Sequence, residues 1–208
     1  MRVLAVTASV SDCSRSKSLL LRFVEGLRTA ENLEVKIRDV GKTPPPHLTE
    51  LQLKLFADST LPDPEGVCSI SNELIEELRW ADVILISTPI YNWAIPSTLK
   101  CWIDQVVRLN HTFITTPTGI DGLLQEVPKG WENRNYNTKK RVILFVSSGL
   151  TPAEHITRYL RSVLKFIGIT RVQSVDCVHL MQDNIPEEAK QLCDETLVTF
   201  LKNQPKED

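Results

Sequence analysis

Apolar residues in this chain fall into two arrangements. Arg2 to Ala8, Val83 to Ile86 and Arg141 to Val146 are dominated by unbroken Val, Ile, Leu and Ala, as strands covered on both faces require. Leu33 to Asp39 alternates apolar and charged positions, which predicts a more exposed strand, and Val172 to Val178 predicts a last one. Ser87 and Thr88 are read as the end of the central run. Elsewhere apolar residues recur three and four positions apart, the spacing of a helix with one buried face. Leu19, Leu20, Phe23, Val24 and Leu27 form one such stripe, and Leu74, Ile75 and Leu78 another, within a helix from Asn72 to Ala81. After Pro96 come Leu99, Trp102, Ile103, Val106 and Val107, with Lys100, Asp104 and Arg108 facing outward. Ile156, Tyr159, Leu160, Val163, Leu164 and Ile167 make a fourth stripe, closed by Gly168 as a C-cap. A final helix starts with Pro186 at its first position and runs to Leu201.

Two tracts follow neither arrangement. Thr43 to Glu50 carries three consecutive prolines and cannot be regular; Leu48, Leu51, Leu55 and Phe56 predict a short helix beside it, and Pro62, Pro64 and Gly66 an excursion over the surface. His47 has no partner that sequence can name. His111 to Lys140 is the most irregular part, and its polar portion from Gln125, with Trp131 and Tyr136, reads equally as a lid or as a solvated connection.

Strands and helices alternate five times, which implies right-handed crossovers and a parallel sheet with helices on both faces. The predicted fold is α/β and doubly wound, with five strands in the order 2-1-3-4-5. In that plan ligands sit beyond the carboxyl ends of strands one, three and four. The loops there are unusual. The first, SVSDCSRS over Ser9 to Ser16, lacks both G-x-G-x-x-G and G-x-x-x-x-G-K-[ST]. Its four serines with Arg15 and Lys17, at the start of a helix, nonetheless form a phosphate cradle of hydroxyls and unpaired N–H groups. Helix capping accounts for one of Ser14 and Ser16, and less well for all four serines.

The second loop, held between Pro89 and Pro96, carries Ile90, Tyr91, Asn92 and Trp93, which suit a flat polar ring as well as they suit closing the end of a core. The third is Ser147, Ser148, Gly149 and Leu150, where Gly149 allows a close backbone approach. Together the loops describe a mononucleotide with an aromatic base, for which flavin mononucleotide (FMN) is the natural candidate.

Composition narrows the field. Hydrophobic residues make up 42% and charged residues 24% of 208, ordinary for one globular domain spanning 1–208. A net charge of −2 provides no general field for nucleic acid or an anionic membrane. No segment reaches the length of a signal core or a membrane span, so a cytoplasmic location is expected. Five cysteines without C-x-x-C spacing argue against a disulfide framework or a structural metal site. Cys101 and Cys193 read as small core residues; Cys13, near Arg15 and Lys17, is the one whose thiolate its surroundings could favour.

Three motifs carry a family resemblance: S-x-S at Ser14 and Ser16, P-[MI]-Y-N-[FW] at Pro89 to Trp93 with its following L-K-x-[WY]-[IF]-D helix, and YLRSVLKFIGIT at Tyr159 to Thr170. The chain resembles the FMN-dependent NADH-azoreductases among the flavodoxin-like quinone reductases, over nearly its whole length. The resemblance implies a flavodoxin-like fold, with Ser9, Ser14, Arg15 and Ser16 around the FMN phosphate, Pro89 to Trp93 along the isoalloxazine, and Ser147 to Leu150 flanking it. It also implies NADH or NADPH as donor, quinones and azo compounds as acceptors in a ping-pong reaction, and a homodimer with Trp93 near its seam. The flavin carries that chemistry, so no catalytic dyad is required and none is visible. The chain departs from relatives in having Ser147-Ser148-Gly149-Leu150 where S-R-G-G is common, and in a longer Gln125 to Lys140 segment. Alternatives compatible with the same loops are a flavin reductase of this fold, an FMN-binding electron carrier and a flavodoxin-like module without reductase activity.

Overall fold

The computed structural model describes residues 1–28, 32–58, 60–63, 65–124, 140–149, 152–178 and 184–202. In chain order these form β1 (Arg2–Thr7), α1 (Arg15–Leu27), β2 (Glu34–Asp39), α2 (Glu50–Ala57), α3 (Ser69–Trp80), β3 (Val83–Pro89) and α4 (Ser97–Val106). They continue with β4 (Phe113–Thr116), β5 (Gly119–Gly122), β6 (Arg141–Ser148), α5 (Glu154–Phe166), β7 (Val172–Val178) and α6 (Glu187–Lys202). Five parallel strands lie in the order β2-β1-β3-β6-β7, which is the predicted 2-1-3-4-5.

Side-chain alternation along each strand builds two cores. Val3, Ala5, Val83, Leu85, Ile143 and Phe145 meet α1 and α6, while Leu4, Val6, Ile84, Ile86, Leu144 and Val146 meet α3, α4 and α5. Phe23 sits edge-on between Phe145 and Phe200, with ring centroids 5.6 and 5.7 Å away. The central strand β3 is buried along its whole length. Burial of each of its Val, Ile and Leu side chains contributes roughly 1.5–3 kcal/mol.

Several elements differ from expectation. β3 does not end at Ser87 but continues through Thr88 to Pro89, which pairs with Ser147 of β6. Proline is tolerated there because the ladder resumes past it, with Ile90 N–H donating to the Ser147 carbonyl at 2.8 Å. Arg108 does not face outward. It lies beyond the last turn of α4 and turns in, donating to Asn72 Oδ1 at 2.7 Å and lying 4.5 Å from the Phe56 ring centroid. In α2 the buried residues are Gln52, Leu55 and Phe56, while Leu51 is exposed. Gln52 completes a capping box with Thr49 and donates to the Val67 carbonyl at 3.1 Å, so a polar side chain takes the inward position. Pro186 stands one residue before α6 and accepts from Ala189 and Lys190 N–H groups.

Part of the stretch expected to be irregular is an antiparallel ribbon, β4 paired with β5. Its anchor is a contact between two backbones. Gly168 ends α5 in a left-handed conformation (φ +96°), with Ile169 N–H donating to Leu164 and Gly168 N–H to Lys165, a Schellman closure. Gly122 lies directly on it: a Cβ on Gly122 would fall 2.0 Å from the Gly168 nitrogen. Residues 125–139 of the possible lid lie outside the described residues.

Cys101 and Cys193 are buried, and burial pushes the Cys193 thiol up to about 11. Cys101 Sγ lies 3.2 Å from His47 Nδ1, which supplies the partner that sequence could not name. Among the described residues no helix is long and apolar enough to cross a membrane.

Candidate functional site

The loops that follow β1, β3 and β6 meet at the carboxyl end of the sheet around a cleft of about 220 Å³. From the first loop it is lined by Ser9, Ser11, Cys13, Ser14 and Arg15; from the end of β3 and the second loop by Pro89, Ile90 and Tyr91. Ser147, Ser148 and Gly149 close the third side. The convergence follows from topology, since parallel neighbours β1, β3 and β6 all point the same way.

Ser14 both caps and lines. Its Oγ accepts from Lys17 N–H at 3.2 Å as the N-cap of α1, and lies 3.2 Å from Ser16 Oγ. Ser16 is fully buried behind Ser14 and does not line the cleft. Lys17 does not join the cradle: its ammonium is bound to Asp39 at 2.7 Å. Burial alone would raise the Asp39 carboxyl, but Lys17 and the Lys42 N–H hold it below the ordinary carboxylate range. Lys42 reaches the Val10 carbonyl at 3.2 Å and the Asp12 carboxylate at 2.7 Å. The first loop is thus lashed to the segment after β2, and Arg15 is the cation at the cleft.

Ser9 joins the first loop to the second, with its Oγ 3.3 Å from Tyr91 Oη. Tyr91 and Ala94 exchange two backbone hydrogen bonds, at 2.9 and 3.0 Å, around a two-residue turn. Both turn residues, Asn92 (φ +48°) and Trp93 (φ +67°), are left-handed, as a type I′ turn requires. They stand at the tip of the loop, outside the cleft lining, and Trp93 is 73% exposed.

In the third loop Gly149 has no close neighbour among the described residues: a Cβ there would meet nothing within 4 Å, and its φ lies outside the left-handed region. The expected close approach is therefore not to the protein. Leu150 lies outside the described residues.

Sequence reasoning did not name Ser11, Cys13 or His155 among the cofactor-binding residues, although Ser11 was counted with the cradle serines and Cys13 was weighed for its thiolate. The first two could have been found from their place within the quoted loop. His155 carries no sequence signal, yet its Nε2 lies 2.8 Å from the Trp93 carbonyl oxygen.

These residues fit a phosphorylated planar molecule. Hydroxyls, Arg15 and the amino end of α1 concentrate anion-binding groups at one end of the cleft. Room beside Gly149, opposite Ile90 and Tyr91, leaves space for a flat ring. At the same end of the sheet the buried Ser87 Oγ has no hydrogen-bond partner among the described residues.

Comparison with known proteins agrees with this geometry. The family described as having a flavodoxin-like fold matches residues 1–198. An FMN-dependent NADH:quinone oxidoreductase of Vibrio parahaemolyticus is 33% identical over 180 residues, covering 84% of this chain and 85% of that protein. A Pseudomonas putida protein named FMN-dependent NADH:quinone oxidoreductase 2 is 36% identical over 188 residues, 86% of each chain. Among solved structures, an FMN-dependent NADH-azoreductase from Bacillus anthracis in complex with FMN superposes with a TM-score of 0.80 at 19% identity, covering 96% of this chain and 99% of that one.

Proposed function

The chain belongs to the flavodoxin-like family and to its FMN-dependent NADH:quinone oxidoreductases, and from that premise we propose that its three-loop cleft holds FMN for NAD(P)H-dependent reduction of quinones and azo compounds. The observation that carries the reading is the cleft itself, where hydroxyls and a cation at a helix amino end adjoin an open slot between two loops.

Ser9, Ser14 and Arg15 hold the phosphate, with Ser16 fixing Ser14 from behind. Pro89, Ile90 and Tyr91 border one side of the ring, with Asn92 and Trp93 at its outer edge; Ser147, Ser148 and Gly149 border the other, and Leu150 follows them. When bound, FMN supplies the redox chemistry, accepting hydride from NADH or NADPH and passing the electrons to the acceptor in a second half-reaction. The protein positions the ring, keeps one face open to planar molecules and supplies fixed dipoles beside it. The chain acts as one domain, 1–208, in the cytoplasm and as a homodimer. Trp93, at 73% exposure, is the large aromatic side chain at the cleft rim that a second subunit would cover.

The test is anaerobic. Purified protein reconstituted with FMN should be yellow, bleach on addition of NADH or NADPH, and recover its colour when a quinone is added. Colour unchanged by either nucleotide would leave an electron carrier, and failure to retain FMN at all would overturn the assignment.

A further inference from the structure

The Asn92–Trp93 turn contains a conformation that its sequence does not favour. Asparagine tolerates the left-handed region because its short side chain bonds locally, but tryptophan at φ +67° is strained by on the order of 1–2 kcal/mol. Such a backbone persists only where its surroundings over-determine it. The two Tyr91–Ala94 hydrogen bonds are one restraint. His155, in the first turn of α5, is another.

His155 Nε2 lies 2.8 Å from the Trp93 carbonyl oxygen, and its Nδ1 lies 3.0 Å from the Pro152 carbonyl oxygen just ahead of the helix. Its ring faces the Trp93 indole, centroids 6.4 Å apart and planes at 41°. A carbonyl can only accept, so a neutral His155 donates to one of these two oxygens, to Trp93 when the proton is on Nε2, and the imidazolium donates to both. The ring therefore spans from the helix after the third loop to the tip of the second. A second direct tie between these two sides, among the described residues, is the Ile90 N–H to Ser147 carbonyl bond at the root of the cleft. One tie sets the floor and the other sets the rim.

We propose that His155 is a positioning residue for the flavin ring: by holding the Trp93 carbonyl it keeps the Asn92–Trp93 turn left-handed and fixes the width of the slot between the second and third loops. The turn's own ladder uses the N–H groups of Tyr91 and Ala94 only, so those of Asn92 and Trp93 are left for the polar edge of a ring. The inference rests on the FMN reading above for its ligand, but not for the contact itself.

The experiment compares wild type with His155→Ala and His155→Gln; the Gln amide can place an N–H near the position of Nε2. In the FMN-free protein the backbone amide resonance of Ala94 reports the turn. It should shift in His155→Ala and return toward its wild-type position in His155→Gln. Titration of FMN, followed by quenching of flavin fluorescence, should give a Kd about tenfold higher in His155→Ala and largely restored in His155→Gln. The fine structure of the visible flavin band should broaden and recover in parallel, with thermal midpoints of the FMN-free proteins close together. An Ala94 resonance indifferent to both substitutions would overturn the proposal, as would a moved resonance with unchanged FMN affinity and spectrum. Wild-type protein that binds no FMN, with the Ala94 shift present, would overturn the proposed function and the flavin role of His155 while leaving the turn contact standing.

Discussion

The two ends of the five-stranded sheet use the same kinds of residue to opposite effect. At the amino end, polar groups are closed upon one another. The Asp82 carboxylate accepts from the Arg2 N–H and forms a salt bridge with its guanidinium at 3.0 Å, the Asp82 N–H donates to the Arg2 carbonyl, and Lys140 donates to the carbonyls of Arg79 and Ala81 at the end of α3. Arg141 covers the Phe200 ring at 3.7 Å. There Gly122 is small because the Gly168 backbone touches it. At the carboxyl end Trp93 is strained and exposed, and among the described residues Gly149 faces open space and the buried Ser87 hydroxyl lacks a partner. One end holds the fold together, and the other is left incomplete for a ligand. A glycine therefore means little until the atoms around its missing Cβ are known.

The largest effect that would sharpen this contrast is expected from Gly122→Ala. The new methyl would meet backbone that has no rotamer to yield, so stability should fall by about 3 kcal/mol or more. Chemical denaturation measures this, and FMN affinity of the protein that remains folded should be unchanged. A loss below about 1 kcal/mol would show that the amino end is looser than the comparison holds.

Lys140 gives the next largest effect, read against pH. Burial lowers its ammonium from the ordinary lysine range to about 8, with Asp82 partly opposing the shift. The folded value lies below the unfolded one, about 10.4, so below pH 8 both states carry the proton and the full penalty applies. Between about pH 8 and 10.4 the unfolded chain binds more protons, and stability should rise with pH by on the order of 3 kcal/mol. Unfolding of wild type and Lys140→Met across that window tests the sign, since the Met variant should lack this component.

A more moderate effect belongs to the cradle. Ser14→Ala with Ser16→Ala removes the N-cap acceptor of α1 at about 1 kcal/mol of stability, and should raise the FMN Kd by roughly tenfold or more. Wild-type FMN retention in the double variant would count against the phosphate end of the cleft. The smallest effect is expected from Gly149→Ala. With no neighbour to strike, it should stabilise the FMN-free protein by about 0.5 kcal/mol through the unfolded chain, while weakening FMN severalfold. Lower stability without a change in affinity would mean that this glycine serves the fold after all, and the contrast between the two ends would fail.

Much of the site was legible. The unbroken runs of β1, β3 and β6 announce strands buried on both faces, and five alternations admit few topologies, so the convergence of their following loops could be read before any coordinates. The loops themselves were marked by residues chosen against local preference, prolines around Tyr91 to Trp93 and serines crowded before Lys17. What escaped was pairwise. Lys17 sits in the right loop, yet Asp39 of β2 takes its charge. Arg108 has the spacing of an exposed residue, yet Asn72 and the Phe56 ring draw it in. The β4–β5 ribbon lacks clear alternation because its position is set by contact with the end of α5.

The sequence by itself determined the layers, the strand order and which loops share a rim, because periodicity and handed crossovers are local properties that each segment carries alone. Tertiary structure alone decided that Asp39 draws Lys17 away from the cleft, why Gly122 and Gly149 differ, and that His155 reaches the Trp93 carbonyl. These depend on distances between atoms far apart in the chain, which are fixed only once the two cores have closed.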